Sequence, residues 1–208
     1  MRVMDALSLI NLIISMVLNV ESFEWEGVMP DTGIAEVLID EEKIKTIVAR
    51  LGKEITEYYK GSEKELIVVG LLRGSFVFMA DLVREIKHPM ITDFMTVSSY
   101  GDGTVSSGEF KVVMDLDESI EGRDILLVED IVDTGNTFSK VIQMLESRNP
   151  ASLKVCTFLN KPARRVIEVP IDFCGIDIPD EFVVGYGLDL AQKYRNIPYV
   201  GIYNPEHK

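Results

Sequence analysis

The strongest constraint on this chain is a repeated phrase. Residues 66–72 (LIVVGLL) and 124–128 (DILLV) are short, almost wholly apolar runs. Each is followed by a small polar turn and then by apolar residues at helical spacing. A strand without polar alternation must be covered on both faces, and helices packed above and below a sheet do that. The helical partners are readable. Asp40 stands as an N-cap ahead of Ile44, Ile47, Val48, Leu51 and Ile55, which share one helix face, and Gly61 stops the segment. A second helix runs through Phe78, Leu82 and Ile86, and a third over 137–147. Further strands are expected at 93–99, 110–114 and 153–159, with a polar Gly/Ser/Thr segment at 100–108 breaking the pattern. Repeated strand-turn-helix units give a mainly parallel sheet, so the expected class is α/β. Short segments at 173–176, 182–186 and 199–203 read as edge strands of a small subdomain.

Parallel sheets bind ligands beyond the carboxyl ends of their strands. That makes residues 126–137 (LLVEDIVDTGNT) the place to look for chemistry. An apolar strand ends there in two adjacent carboxylates, Glu129 and Asp130. A third, Asp133, follows, and Thr134-Gly135-Asn136-Thr137 opens a helix. The turn offers backbone N–H groups, two hydroxyls and the positive end of a helix dipole, which together suit a phosphate monoester. Carboxylates just upstream would repel that anion, so they suit sugar hydroxyls or a hydrated Mg²⁺. The combination points to a phosphorylated sugar.

This stretch resembles the signature of type I phosphoribosyltransferases. From about residue 36 onward the chain resembles the hypoxanthine-guanine members of that family in motif order and spacing. The resemblance implies a type I phosphoribosyltransferase fold: a mostly parallel twisted sheet flanked by helices, with a small C-terminal hood. It implies an enzyme that uses Mg²⁺ to transfer the phosphoribosyl group of phosphoribosyl pyrophosphate to hypoxanthine, and to guanine as well, releasing pyrophosphate.

The resemblance also implies roles. Glu129 and Asp130 would touch the ribose hydroxyls and, with Asp189, form the metal side, while Thr134, Gly135, Asn136 and Thr137 hold the 5-phosphate. Leu72-Arg73-Gly74 matches the pyrophosphate loop with its non-proline cis peptide, and Arg195 the pyrophosphate-binding arginine. Ser99 and Tyr100 match the start of a loop that closes over the site and excludes water. Lys161 matches the purine-reading lysine, a pure donor that suits the O6 acceptor of a 6-oxopurine and opposes the amino group of adenine. Phe182 would stack on the base, and the backbone of Val183 would pair with its edge. Asp189 could instead cap a helix. Asp133 is the candidate general base for the purine N7 proton. Relatives form homodimers or homotetramers. One position departs from the pattern: Asn136 stands where many relatives carry Lys, so a slightly weaker hold on phosphate is expected.

Composition closes off other classes. The chain has 208 residues, with 21 Lys and Arg against 34 Asp and Glu, a formal net charge of −13. No basic patch offsets it, so nucleic acid and anionic lipid surfaces are not expected partners. The same charge weighs against a regulatory, RNA-binding relative that keeps the phosphate turn. Specificity for xanthine, or for 6-oxopurines broadly, stays open, because contacts at the purine 2-position depend on backbone geometry near Val183 and Asp189. Cys156 and Cys174, with no His nearby, make neither a disulfide framework nor a zinc site and suit a reducing cytoplasm. With only His88 and His207, His-based triads and H-E-x-x-H sites are absent. Neither a P-loop nor a dinucleotide fingerprint appears.

The apolar run at 7–20 follows Arg2 but is short for a bilayer span, which takes ~20 residues, and no small-x-small cleavage site follows it. Residues 1–30 therefore read as an extension: an apolar docking helix, or sequence ahead of a start at Met29. Residues 31–208 read as the phosphoribosyltransferase domain with its hood.

Overall fold

Strand β2 (Leu66–Leu72) lies beside β5 (Asp124–Val132) in parallel, with Leu66 opposite Asp124 and Gly70 opposite Val128. Alternate residues of these strands enter two separate cores. Leu66, Val68, Leu126 and Val128 pack with helices α1 (Glu41–Tyr59) and α2 (Phe76–Glu85). Ile67, Val69, Ile125 and Leu127 pack on the other side with α3 (Asn136–Glu146). Burial on both faces explains why neither run alternates. The computed structural model describes residues 33–99, 110–204 and 206, and the fold belongs to the unit 34–207. The apolar run at 7–20, the remainder of 1–30, and Tyr100 with the polar segment after it lie outside the described residues.

The elements arise where local chemistry places them. The Asp40 carboxylate accepts from the Lys43 N–H at 2.7 Å, and Glu41 and Glu42 sit in the first turn of α1, where the helix dipole favours acids. Its buried stripe contains all five expected apolar residues, extended by Gly52 and Tyr59. Beyond it, Gly61 has φ +82°, a left-handed turn that ends the helix.

The main sheet has six strands in the order β4 (Phe110–Met114), β3 (Met90–Ser99), β2, β5, β6 (Ser152–Asn160) and β7 (Phe173–Asp177). Only the β3/β4 pair is antiparallel. A second sheet of three antiparallel strands joins β1 (Ile34–Ile39), β9 (Val200–Tyr203) and β8 (Val183–Val184).

Three expectations are corrected. The segment at 173–176 is not part of the hood: it closes the main sheet as β7, with Phe173 opposite Cys156 in parallel register. A short edge strand carries no sequence mark of which sheet it joins. The hood is not purely C-terminal either, because its third strand is β1, whose middle residues are exposed and which shows no clean alternation. Finally, β5 does not stop at Val128 but runs to Val132, so Glu129 and Asp130 belong to the strand. Carboxylates lower strand propensity, yet β6 pairs with β5 as far as Val132 opposite Asn160 and holds the strand extended.

Candidate active site

The carboxyl end of β5 opens into a cleft of about 370 Å³. It is lined by Arg73 and Gly74 after β2, by Val97 in β3, by residues 129–138, and by Asp189 and Arg195 from the loop between β8 and β9. The Leu72–Arg73 peptide is cis. Gly74 passes so close to the acid pair that a Cβ there would stand 1.8 Å from Asp130 Oδ2, so only glycine fits. Gly187, at φ +100°, lies against the Gly74 carbonyl and brings the Asp189 loop onto the Arg73 loop. The Tyr186 hydroxyl donates to Asp81 Oδ2 at 2.7 Å and ties that loop to α2.

Burial dominates the charge states of Glu129 and Asp130. Glu129 Oε2 is sealed from solvent without a hydrogen-bond partner. Desolvation, reinforced by the neighbouring Asp130, raises the Glu129 carboxyl well above its ordinary range. Desolvation also pushes Asp130 up to about 6, against the opposing Ile131 N–H, which donates to its Oδ1 at 2.9 Å. Asp133 Oδ1 also lacks a hydrogen bond but lies 3.5 Å from Arg164 Nε.

The turn that follows is braced from behind. Gly135, at φ +81°, precedes α3, and a Cβ there would meet the Ile167 carbonyl at 2.2 Å. The Thr134 carbonyl accepts from Val166 N–H and Ile167 N–H at 2.9 and 3.0 Å. Asn136 N–H donates to Thr134 Oγ1 at 3.4 Å, so that hydroxyl is already engaged, whereas the Asn136 and Thr137 side chains are exposed.

Lys161, Phe182 and Val183 lie outside the lining of this cleft and form a group beside it. Lys161 N–H donates to the Val132 carbonyl at 3.0 Å, so the residue starts from the end of β5. Its side chain is only 4% exposed, and Nζ donates to the Glu181 carbonyl at 2.5 Å. Phe182, 49% exposed, presents its ring beside Tyr203, and buried Val183 is held by β9. Ser99 is the last residue of β3, opposite Phe110, and Tyr100 lies outside the described residues. Asp189 does not cap a helix, because none follows it among the described residues. It caps a tight turn instead: Oδ2 accepts from Gln192 N–H at 2.8 Å, and Oδ1 pairs with Arg195 Nη2 at 2.7 Å.

Residues 36–190 match the phosphoribosyl transferase domain. The chain belongs to the phosphoribosyltransferase family. It is 58% identical over 166 residues to hypoxanthine phosphoribosyltransferase from Salmonella typhimurium, a match spanning 80% of this chain and 93% of that one. The corresponding Escherichia coli protein is 56% identical over the same shares. Among solved structures, hypoxanthine phosphoribosyltransferase from Staphylococcus aureus superposes with TM-score 0.80 at 46% identity, covering 84% of this chain and 94% of that one. A hypoxanthine-guanine phosphoribosyltransferase from Bacillus anthracis gives 0.75 at 40% identity, covering 82% and 98%.

The family signature does not mention three residues that this phosphoribosyltransferase places around the cleft. Arg165 Nε donates to the Asp133 carbonyl at 2.9 Å, and Nη2 donates to the Val132 carbonyl at 3.1 Å and to Asn160 Oδ1. Arg164 faces Asp133 and, at 3.6 Å, Asp180. Gln192 lies between Arg73 and Arg195. The adjacent arginines after Lys161 are a sequence signal, but nothing local says which groups they face.

Among the described residues no three His, Cys, Asp or Glu side chains cluster to hold a metal. Any Mg²⁺ here would rest on one or two carboxylates plus water and substrate oxygens, its usual habit. The orphaned, desolvated Glu129 oxygen beside Asp130 fits such a cation. No helix among the described residues is long and apolar enough to cross a membrane.

Proposed function

We propose that this chain transfers the 5-phosphoribosyl group of phosphoribosyl pyrophosphate to hypoxanthine, and to guanine, giving the nucleoside monophosphate and pyrophosphate. This is the salvage of a purine base. The observation that carries the reading is the cleft itself: one cavity is lined by a desolvated acid pair, by the Thr134-Gly135-Asn136-Thr137 turn at the start of α3, and by Arg73 and Arg195. A sugar bearing both a phosphate and a pyrophosphate asks for that set of groups. Names carried by relatives more than half identical to the chain support the choice of base.

In this reading Thr134, Gly135, Asn136 and Thr137 hold the 5-phosphate through backbone donors and the dipole of α3. Asn136 supplies no charge. Arg73 and Arg195 take the pyrophosphate, with Gly74 leaving room for it. Glu129 and Asp130 receive the ribose hydroxyls and stabilise positive charge that develops at C1 as its bond to pyrophosphate oxygen breaks and the bond to purine nitrogen forms. Asp133 accepts the N7 proton released at that step. Lys161 donates to O6, Phe182 stacks on the ring, Val183 meets its edge, and Ser99 with Tyr100 begins the covering loop. A hydrated Mg²⁺ near Glu129, Asp130 and Asp189 would offset the charge of the leaving pyrophosphate. The enzyme is read as a cytoplasmic homodimer or homotetramer, with residues 31–208 carrying the activity.

Nucleotide formation from hypoxanthine, guanine, xanthine and adenine, run beside Asp133→Asn, tests this. Turnover of 6-oxopurines but not adenine is expected, and Asp133→Asn should lower kcat by about 10²-fold or more with a smaller change in affinity. Phosphoribosyl pyrophosphate binding without turnover of any base would overturn the enzyme reading.

A further inference from the structure

The turn between Asp189 and Arg195 holds a residue that the proposed chemistry leaves unused. The carboxamide oxygen of Gln192 accepts from Arg73 Nη1 and from Arg195 Nη2, at 3.2 Å each. An exposed glutamine would ordinarily be free in solvent. Here it is aimed, because Gln192 N–H is held by Asp189 Oδ2 and the backbone at Ala191 and Gln192 is left-handed, with φ +50° and +68°. Two cations from distant parts of the chain converge on one neutral oxygen at the rim of the cleft.

A charged oxygen would satisfy those guanidinium groups better, since direct Coulomb attraction between opposite charges adds to the hydrogen bonds that the ionised donors already make. We propose that Gln192 is a place-holder for a pyrophosphate oxygen: its amide oxygen occupies the position between Arg73 and Arg195 and leaves when pyrophosphate enters. Neutrality suits this role. The amide keeps two like charges aimed at one point, yet it yields to an anion and can return as the product departs. Arg195 does not depend on Gln192 for its orientation, because Asp189 Oδ1 and the Gly187 carbonyl also hold it, both at 2.7 Å. The proposal rests on the reading of Arg73 and Arg195 as the pyrophosphate site.

Calorimetric titration of the full chain with inorganic pyrophosphate and Mg²⁺ tests it, with Gln192→Ala, Gln192→Glu and Arg195→Ala side by side. Both glutamine substitutions are at an exposed position and keep the N–H bonded to Asp189. Removing the place-holder should tighten pyrophosphate about 3- to 5-fold and slow its release, since two exposed hydrogen bonds no longer have to be broken. Gln192→Glu, a competitor that carries charge, should weaken pyrophosphate by about 10-fold or more and raise KM for phosphoribosyl pyrophosphate more than it lowers kcat. A merely structural role would weaken binding in both variants. Unchanged or weaker binding in Gln192→Ala, while Arg195→Ala loses binding, overturns the place-holder alone. Undiminished binding in Arg195→Ala overturns the pyrophosphate site itself.

Discussion

Asp130 shows how a single side chain is held against its own preference. Its folded acidity is weakened, to about 6, chiefly because burial penalises the charge, whereas an unfolded aspartate ionises near 4. An acid with a raised folded pKa contributes stability that is full below the unfolded value and lost as pH rises through the folded one. Between about pH 4 and 6 the ligand-free protein should therefore lose stability at this position, and Glu129 acts in the same direction. Asp130→Asn keeps the acceptor for Ile131 N–H and removes the buried charge. It should raise Tm at pH 8 by roughly 2–4 °C, with little change at pH 4, and it should abolish most turnover. Calorimetric melts at the two pH values check this, and an unchanged Tm at pH 8 would refute the strain assigned to the acid. Positions of this kind are where stability and function diverge.

At the scale of elements, the turn proposed to hold the 5-phosphate is a short connection between β5 and α3 whose shape is set by a segment behind it. Residues 165–167 bond to the carbonyls of Val132, Asp133 and Thr134, and Arg165 provides two of those contacts through its guanidinium. Arg165→Met keeps much of the stem and removes the donors, so the Asp133 carbonyl loses its partner while the Val132 carbonyl keeps the Lys161 N–H. The expected cost is about 2 kcal/mol, seen as a Tm lower by roughly 4–8 °C. KM for phosphoribosyl pyrophosphate should rise as the turn loosens, and steady-state kinetics with a thermal melt read both effects. The turn itself was legible at Thr134-Gly135-Asn136-Thr137, because its residue types are dictated locally by a left-handed glycine and a helix start. Its brace was not legible, because Arg165 meets the Asp133 carbonyl across 32 positions of sequence.

At the scale of the whole molecule, the hood is assembled from both ends of the domain. Strand β1 is the edge partner of β9, and β9 in turn pairs with β8, beside the residues read as the base pocket. A chain begun at Met29 should retain turnover with hypoxanthine, consistent with a domain spanning 31–208. A chain begun at Asp40 loses β1 and exposes the edge of β9, so it should show a higher KM for the base and a lower Tm. Loss of activity on removal of residues 1–28 alone would instead assign that extension a role in the site.

The sequence by itself determined the α/β class, nearly every element of the main sheet, the turn at 134–137 and the family resemblance. Each of these is written in patterns that act over a few residues: apolar runs, the helical period through Ile44 and Leu51, an Asp40 cap, a glycine at a turn. Tertiary structure alone decided that β7 joins the main sheet and β1 the hood, because an edge strand's partner is chosen by which open edge it meets. It also decided that Gly74 abuts Asp130, that burial raises the carboxyls of Glu129 and Asp130, and that Arg73 and Arg195 share the oxygen of Gln192. Arg73 and Gln192 are 119 positions apart, and only the closed fold makes them neighbours.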